Sequence, residues 1–273
     1  MVALTASQYS LIVGVFVLCM CAMAAAALYF LVSRSDVLPR YRTAVTLCGL
    51  FCAVAGMSYF WHYTTWRDSF TVSHGVVTQI GETFDDSHRY VDWVLTVPLQ
   101  LIAFAFVLDL PTRQARVRSL ILGSLGAEMV MLGYPGQIST DAQTRWLWFG
   151  LAIVPFLLIV GQLFVGLAKA VREEPEESRG LVKLARLVLL VTWPVYALVY
   201  LLPLFDIRGS TAFVGVQAAY AAADIGAKVL YAALLCMAAS SKSAAKADAA
   251  GRPLSVVRGG AGTPPARAAA PAA

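Results

Sequence analysis

The residues best placed to do chemistry lie near the C-terminal end, where Asp224 and Lys228 sit inside an apolar run from about Thr211 to Ala239. A spacing of four puts both side chains on one helix face, and the run is long enough to cross a hydrocarbon core of about 30 Å. A charge at that depth is costly and needs a partner, a cavity or a task. Two readings follow. The pair could neutralise itself and brace a neighbouring helix, or the lysine could be an amine held for covalent chemistry, with the carboxylate as its counter-charge.

A second constellation supplies more charge. In Arg89-Tyr90-Val91-Asp92-Trp93-Val94-Leu95-Thr96-Val97-Pro98-Leu99-Gln100, the residues Asp92, Thr96, Gln100 and Ala103 are spaced four, four and three apart. They form one stripe along a helix, with Arg89 one turn from Asp92. Arg89 and Asp92 could be a structural pair; Pro98 and the adjacent aromatics fit a shaped wall instead. A lone histidine, His62, stands in Ser58-Tyr59-Phe60-Trp61-His62-Tyr63 and reads most simply as a core residue. Trp193, Tyr196 and Tyr200 share a face at helical spacing, which suits packing or a pocket wall equally. Together these parts describe an aromatic-walled pocket holding a lysine, two aspartates and an arginine.

The elements that must position them are membrane helices. Of 273 residues, 59% are hydrophobic and only 14% charged, with a mean hydropathy of +0.70; a soluble domain carries about a quarter charged residues. Apolar segments fall at about 9–32, 43–65, 90–109, 117–134, 146–168, 181–204 and 211–239. The fold class is therefore an all-α membrane protein, a seven-transmembrane-helix bundle. Loops after the first, third and fifth segments are rich in Lys and Arg and the opposite loops are poor in them, which predicts the N-terminus outside and the C-terminus cytoplasmic in a multi-pass plasma-membrane protein. No basic segment precedes the first apolar run, so that span itself is expected to direct insertion. The outer loop at 67–88 holds two β-prone runs around His74-Gly75, predicting a short β-hairpin between the second and third helices. His74 is expected to be a solvated turn residue. Residues 1–240 form the transmembrane domain, and 241–273, rich in Ala, Pro, Gly and Lys, are expected to be a disordered cytoplasmic tail. Cys19, Cys21, Cys48, Cys52 and Cys236 lie in apolar segments without ligand spacing, so they are expected to pack, and no metal site is expected. Nucleic acid is not an expected partner.

The chain resembles the microbial rhodopsins over nearly its whole length except the tail. The stretches Arg89 to Leu99 and Asp224-Ile225-Gly226-Ala227-Lys228 carry the resemblance, with the sixth-span aromatics in support. His62 in the second span is typical of the proteorhodopsin and xanthorhodopsin branch. The resemblance implies that Lys228 binds all-trans retinal as a protonated Schiff base within a retinal-binding domain. It implies that Asp92 and Asp224 are paired counterions, Asp92 also being the primary proton acceptor, and that Arg89, Thr96 and His62 attend them, His62 as a hydrogen-bond partner of Asp92. The carried-over pocket comprises Trp93, Val97, Gln100, Met129, Gly133, Phe149, Ala152, Phe156, Trp193, Tyr196 and Tyr200. At the Gln100 position a glutamine goes with blue absorption in proteorhodopsins and a leucine with green, so a blue-shifted maximum is expected. Homo-oligomers, pentamers or hexamers, are implied, with membrane lipid around them.

The sequence also departs from that family. Proton pumps of this branch carry a carboxylic donor where this chain has Ala103, so slow reprotonation is expected. Asp109 is expected to be a solvated helix-end residue, and Glu128 is a carboxylate turned off the pocket face. Ala197 replaces the usual sixth-span proline, and Phe149 fills the window that an antenna carotenoid would use. The expected function is a light-driven outward proton pump, with a photosensor signalling to a partner as the alternative. Neither is an enzyme.

Overall fold

The computed structural model describes residues 4–73, 76–80, 84 and 86–250. Seven helices in it are long and apolar enough to cross a membrane: Ala6–Asp36, Pro39–Ser69, Arg89–Val107, Thr112–Ile138, Ala142–Gly166, Glu176–Phe205 and Ser210–Ala249. Within them, α1 is Ala6–Ser33, α2 Pro39–Ser69, α3 Arg89–Val107, α4 Thr112–Ile138, α5 Ala142–Gly161, α7 Glu176–Leu201, α8 Ser210–Asp224 and α9 Tyr231–Ala249; the short α6, Ala168–Arg172, lies between the fifth and sixth. Gln162–Gly166 is a π-helical segment after α5, and Ile225–Leu230 is another that joins α8 to α9.

Local sequence explains where the helices start. Thr5 caps α1 in a reciprocal arrangement with Gln8. Pro39 opens α2, and Pro111 and Pro175 immediately precede α4 and α7, where a missing N–H costs nothing. Asp141 caps α5 by accepting from Thr144 N at 2.7 Å. Outward faces are apolar, with Leu18, Leu28, Leu120 and Leu157 exposed, as expected where lipid is the solvent. Cys19, Cys48, Cys52 and Cys236 are buried packing residues.

The outer loop forms more than a hairpin. Strands β2 (Phe70–Ser73) and β3 (Val76–Gln79) pair antiparallel, and β1 (Leu4–Thr5), from the N-terminus, adds to the free edge of β3. The His74-Gly75 turn lies outside the described residues. Leu4, Phe70 and Val77 face inward and cover Trp66, which stacks on Phe213 at 5.5 Å and meets Phe84 edge-on at 5.1 Å. This aromatic layer caps the end of the bundle that carries the sheet.

The last helix corrects the expected domain limit. It continues through residues 241–249 because its polar residues find tertiary partners: Lys242 on the Val107 carbonyl at 2.7 Å, Ser243 on Leu38 N at 3.0 Å, and Lys246 on Asp109 at 2.9 Å. Composition suggested disorder there, but three anchors over two turns outweigh it. Residues 251–273 lie outside the described residues.

Candidate functional site

Lys228 lies in the π-helical segment, where the widened turn carries it towards the bundle axis. Its Nζ is hydrogen-bonded to Asp224 Oδ1 and lies 3.2 Å from Asp92 Oδ2, so one cation bridges carboxylates from two helices. All three side chains are buried. Asp224 is the more heavily furnished carboxylate: Tyr59 donates to Oδ2 at 2.7 Å, Tyr196 donates to Oδ1 at 2.8 Å, and Arg89 Nη1 stands 3.8 Å from Oδ2. Arg89 also donates to Gln217 Oε1 at 2.8 Å and lies over the Tyr220 ring at 4.7 Å. Two lysine and arginine charges thus face two aspartates, a balance that makes such deep burial tolerable. Asp92 differs from its partner, because its Oδ1 has no hydrogen-bond partner among the described residues.

A cavity with Lys228 in its wall lies between α3, α4, α5 and α7, and its apolar lining with one charged group is the usual make-up of a small-molecule site. Its lining includes every pocket residue expected from the sequence: Trp93, Val97, Gln100, Met129, Gly133, Phe149, Ala152, Phe156, Trp193, Tyr196 and Tyr200. Tyr90, Val130, Ile153, Ala197 and Ala227 complete it. Trp93 packs edge-on to Tyr196 at 4.9 Å, and Phe149 stacks on Tyr200 at 5.6 Å. Walls α5 and α7 are pinned at both ends. Arg186 donates to the Leu163 carbonyl in the first π segment at 2.8 Å, and Arg145 donates to the Tyr200 carbonyl at 2.9 Å. An apolar ligand with one carbonyl fits this donor set, since the lining is apolar and carries one amine, that of Lys228.

Three local expectations are corrected. His62 does not hydrogen-bond Asp92. Its Nδ1 meets the Ser58 carbonyl at 2.6 Å, its Nε2 has no partner among the described residues, and its ring packs against Phe16, Tyr59 and Phe84. The cause is helical geometry: Tyr59, three residues earlier on α2, occupies the approach to the counterions, which leaves His62 a turn nearer the outer end. Thr96 donates to the Asp92 backbone carbonyl at 3.0 Å instead of to its carboxylate. Asp109 is not simply solvated. It accepts from Tyr41, pairs with Lys246 at 2.9 Å and with Arg40 at 3.3 Å, and is 23% exposed. Partial burial works to raise its carboxyl, but the hydrogen bonds from Tyr41 and Lys246 and the charges of Lys242 and Lys246 outweigh that and hold it below its ordinary value.

Two further positions differ in burial. Ala103 is fully buried, and Glu128 is exposed on α4. Sequence reasoning missed Tyr59 and Gln217 as partners of the charge cluster. Gln217 was detectable, since it lies two turns before Asp224 on the same face; Tyr59 was overshadowed by the histidine beside it.

Residues 10–242 match the family described as bacteriorhodopsin-like proteins. The blue-light absorbing proteorhodopsin of Gamma-proteobacterium Hot 75m4 is 30% identical over 177 residues, 64% of this chain and 64% of that protein. The green-light absorbing proteorhodopsin of Gamma-proteobacterium EBAC31A08 is 32% identical over 170 residues, 61% of each chain. The chain therefore spans somewhat under two thirds of the length of these curated relatives. The crystal structure of xanthorhodopsin, described as a light-driven ion pump with dual chromophore, superimposes with a TM-score of 0.87 at 34% identity, covering 89% of this chain and 98% of that one.

Proposed function

We infer that this chain, which belongs to the bacteriorhodopsin-like family and within it to the proteorhodopsin and xanthorhodopsin branch, is a light-driven outward proton pump. The observation that carries the reading is Lys228 in the wall of an apolar cavity, bridging two carboxylates, of which Asp92 keeps an oxygen without a partner among the described residues. All-trans retinal, held through Lys228 as a protonated Schiff base, would supply visible absorption and a light-driven change of shape that re-aims the bound nitrogen's proton.

The chain's own residues account for the rest. Asp224 and Asp92 keep the Lys228 nitrogen protonated in the dark, and Arg89 keeps the buried cluster near neutral. Asp92 receives the proton, because its Oδ1 can take a hydrogen without displacing a donor, whereas Asp224 already accepts from Tyr59, Tyr196 and Lys228. Transfer neutralises both partners and removes their mutual stabilisation, so the two titrate as a unit. Tyr59, Tyr196 and Gln217 hold Asp224 and Arg89 in place while that happens. The proton leaves on the N-terminal side, taken as outside from the loop charges. Reprotonation from the cytoplasm is slow because Ala103 offers no proton, and it slows further as pH rises. Homo-oligomers in lipid, pentameric or hexameric, belong to the same reading.

Gln100 sets the colour. Its side chain lines the cavity, and its Oε1 is unpartnered among the described residues, so its amide dipole would act on a retinal held there and would shift absorption to the blue. Gln100→Leu should redden the band, and an unmoved maximum would remove this assignment. The pump reading is tested by adding all-trans retinal and illuminating unbuffered cells. A visible band that Lys228→Ala abolishes, with a protonophore-sensitive fall in external pH, supports it. An intact photocycle without a pH change would make the chain a photosensor.

A further inference from the structure

A second buried lysine pair lies at the other end of the last helix. Glu174, just before α7, and Lys242, in α9, have side chains 1% and 0% exposed, and Lys242 Nζ bonds Glu174 Oε2. The same ammonium donates to the Val107 carbonyl at the end of α3 at 2.7 Å. Glu174 Oε1 accepts Asp109 N–H at 2.9 Å, and the Ser178 hydroxyl stands 3.4 Å from Oε2. The next residue, Ser243, accepts Leu38 N–H at the start of α2. Through this one knot, α2, α3, α7 and α9 are fastened together at the cytoplasmic end. Both Glu174 oxygens are taken by donors that belong to the fold, so the group is built as a tie.

What lies behind the knot gives it a function. Lys242 is about 20 Å along the helix from Lys228, at about 1.5 Å per residue. That interval is packed with Leu101, Phe104, Leu235 and Ala239, all essentially unexposed, around Ala103. A proton entering from the cytoplasm needs water through this layer, and the elements that must part to admit water are those the pair joins. Separating the two charges is costly, because each would be left buried and uncompensated.

We propose that the Glu174–Lys242 pair is a gate on proton uptake, whose opening sets the rate at which the Lys228 nitrogen regains its proton from cytoplasmic water. The proposal rests on the pump reading. The balance is simple: one proton enters from cytoplasmic hydronium and ends on the Lys228 nitrogen, and the one given to Asp92 leaves outward. No other bond is made or broken.

The test uses the full chain with added retinal and the double variant Glu174→Gln/Lys242→Gln. It removes both charges without leaving one alone, and it replaces a charge-assisted bond by a neutral one of about half the strength. Flash-induced recovery of the protonated nitrogen should become about threefold faster, with the dark visible band unmoved and amide exchange at Asp109 faster in the dark. Lys242→Met, which strands Glu174, should speed recovery by about tenfold where it folds. Unchanged recovery in the double variant overturns the gate. Slower recovery also overturns it and makes Glu174 a proton supplier. A wild-type chain that forms no visible band would instead sink the pump reading, while dark amide exchange would still report whether the pair keeps this end closed.

Discussion

The two buried lysines of the last helix make an instructive contrast. Lys228 lines the apolar cavity and shares two carboxylates, one with an oxygen that has no partner among the described residues. Lys242 is held by one carboxylate and a backbone carbonyl. Around the first, towards the three-stranded sheet, are Arg89, Gln217, Tyr59 and Tyr220; behind it, towards Lys242, are Leu101, Ala103, Phe104 and Leu235. A charge can act as a proton partner only where its surroundings leave it a second arrangement. Where every polar atom is satisfied, the same residue type becomes a fastener.

The contrast can be broken most decisively at Asp92. Asp92→Asn should lower light-driven acidification of an unbuffered suspension by about 100-fold or more, the usual scale for removing a positioned acid–base group. A variant that still acidifies would show that the open oxygen of Asp92 is not the acceptor. Next comes the inward half. Ala103→Glu places a carboxyl in an apolar layer that keeps it neutral and able to donate, so flash-induced recovery should accelerate on the order of tenfold and lose its pH dependence. No acceleration would mean that water entry, not the missing donor, limits uptake.

Two smaller effects compare the halves as structure. Tyr59→Phe strips a hydrogen bond from a buried carboxylate and should lower stability by about 1.5 to 3 kcal/mol. Tyr231→Phe removes a 3.0 Å bond to the neutral Gln100 backbone carbonyl on the side of Lys242 and should cost about 1 kcal/mol. Thermal unfolding in detergent reads both, and equal losses would remove the distinction between charged and neutral networks. Smallest is Asp109. Its carboxyl is held below the ordinary value of 3.8, so its contribution is present above that pH and disappears as pH falls through the lower folded value. Asp109→Asn should lose under about 1 kcal/mol at neutral pH, because the group is partly exposed, and should show less acid sensitivity below pH 3.8 than the wild type. An unchanged acid profile would detach Asp109 from the cytoplasmic knot.

Much of this was legible in the residues. Seven apolar runs, the loop charges, the Asp224 to Lys228 spacing and the Asp92 stripe require only helical periodicity and the cost of charge in lipid. The lining of the cavity was legible through resemblance. His62 shows the limit, because a histidine one turn along a helix looks equivalent in sequence, yet Tyr59 takes the contact with Asp224. The helix beyond residue 240 was equally hidden, since Ser243 and Lys246 are stabilised by Leu38 and Asp109, some two hundred and one hundred forty positions away.

The sequence by itself determined which segments cross the membrane, where the amine and its carboxylates lie along them, and that position 103 has no proton to give. Which carboxylate accepts from Tyr59 and Tyr196, and that a second buried lysine, Lys242, ties Glu174 at the far end of the bundle, were settled only by the packing of the helices. Hydropathy and helical period act along the chain and can be read there. Hydrogen-bond saturation is settled between helices, by which side chain arrives first at each buried polar atom.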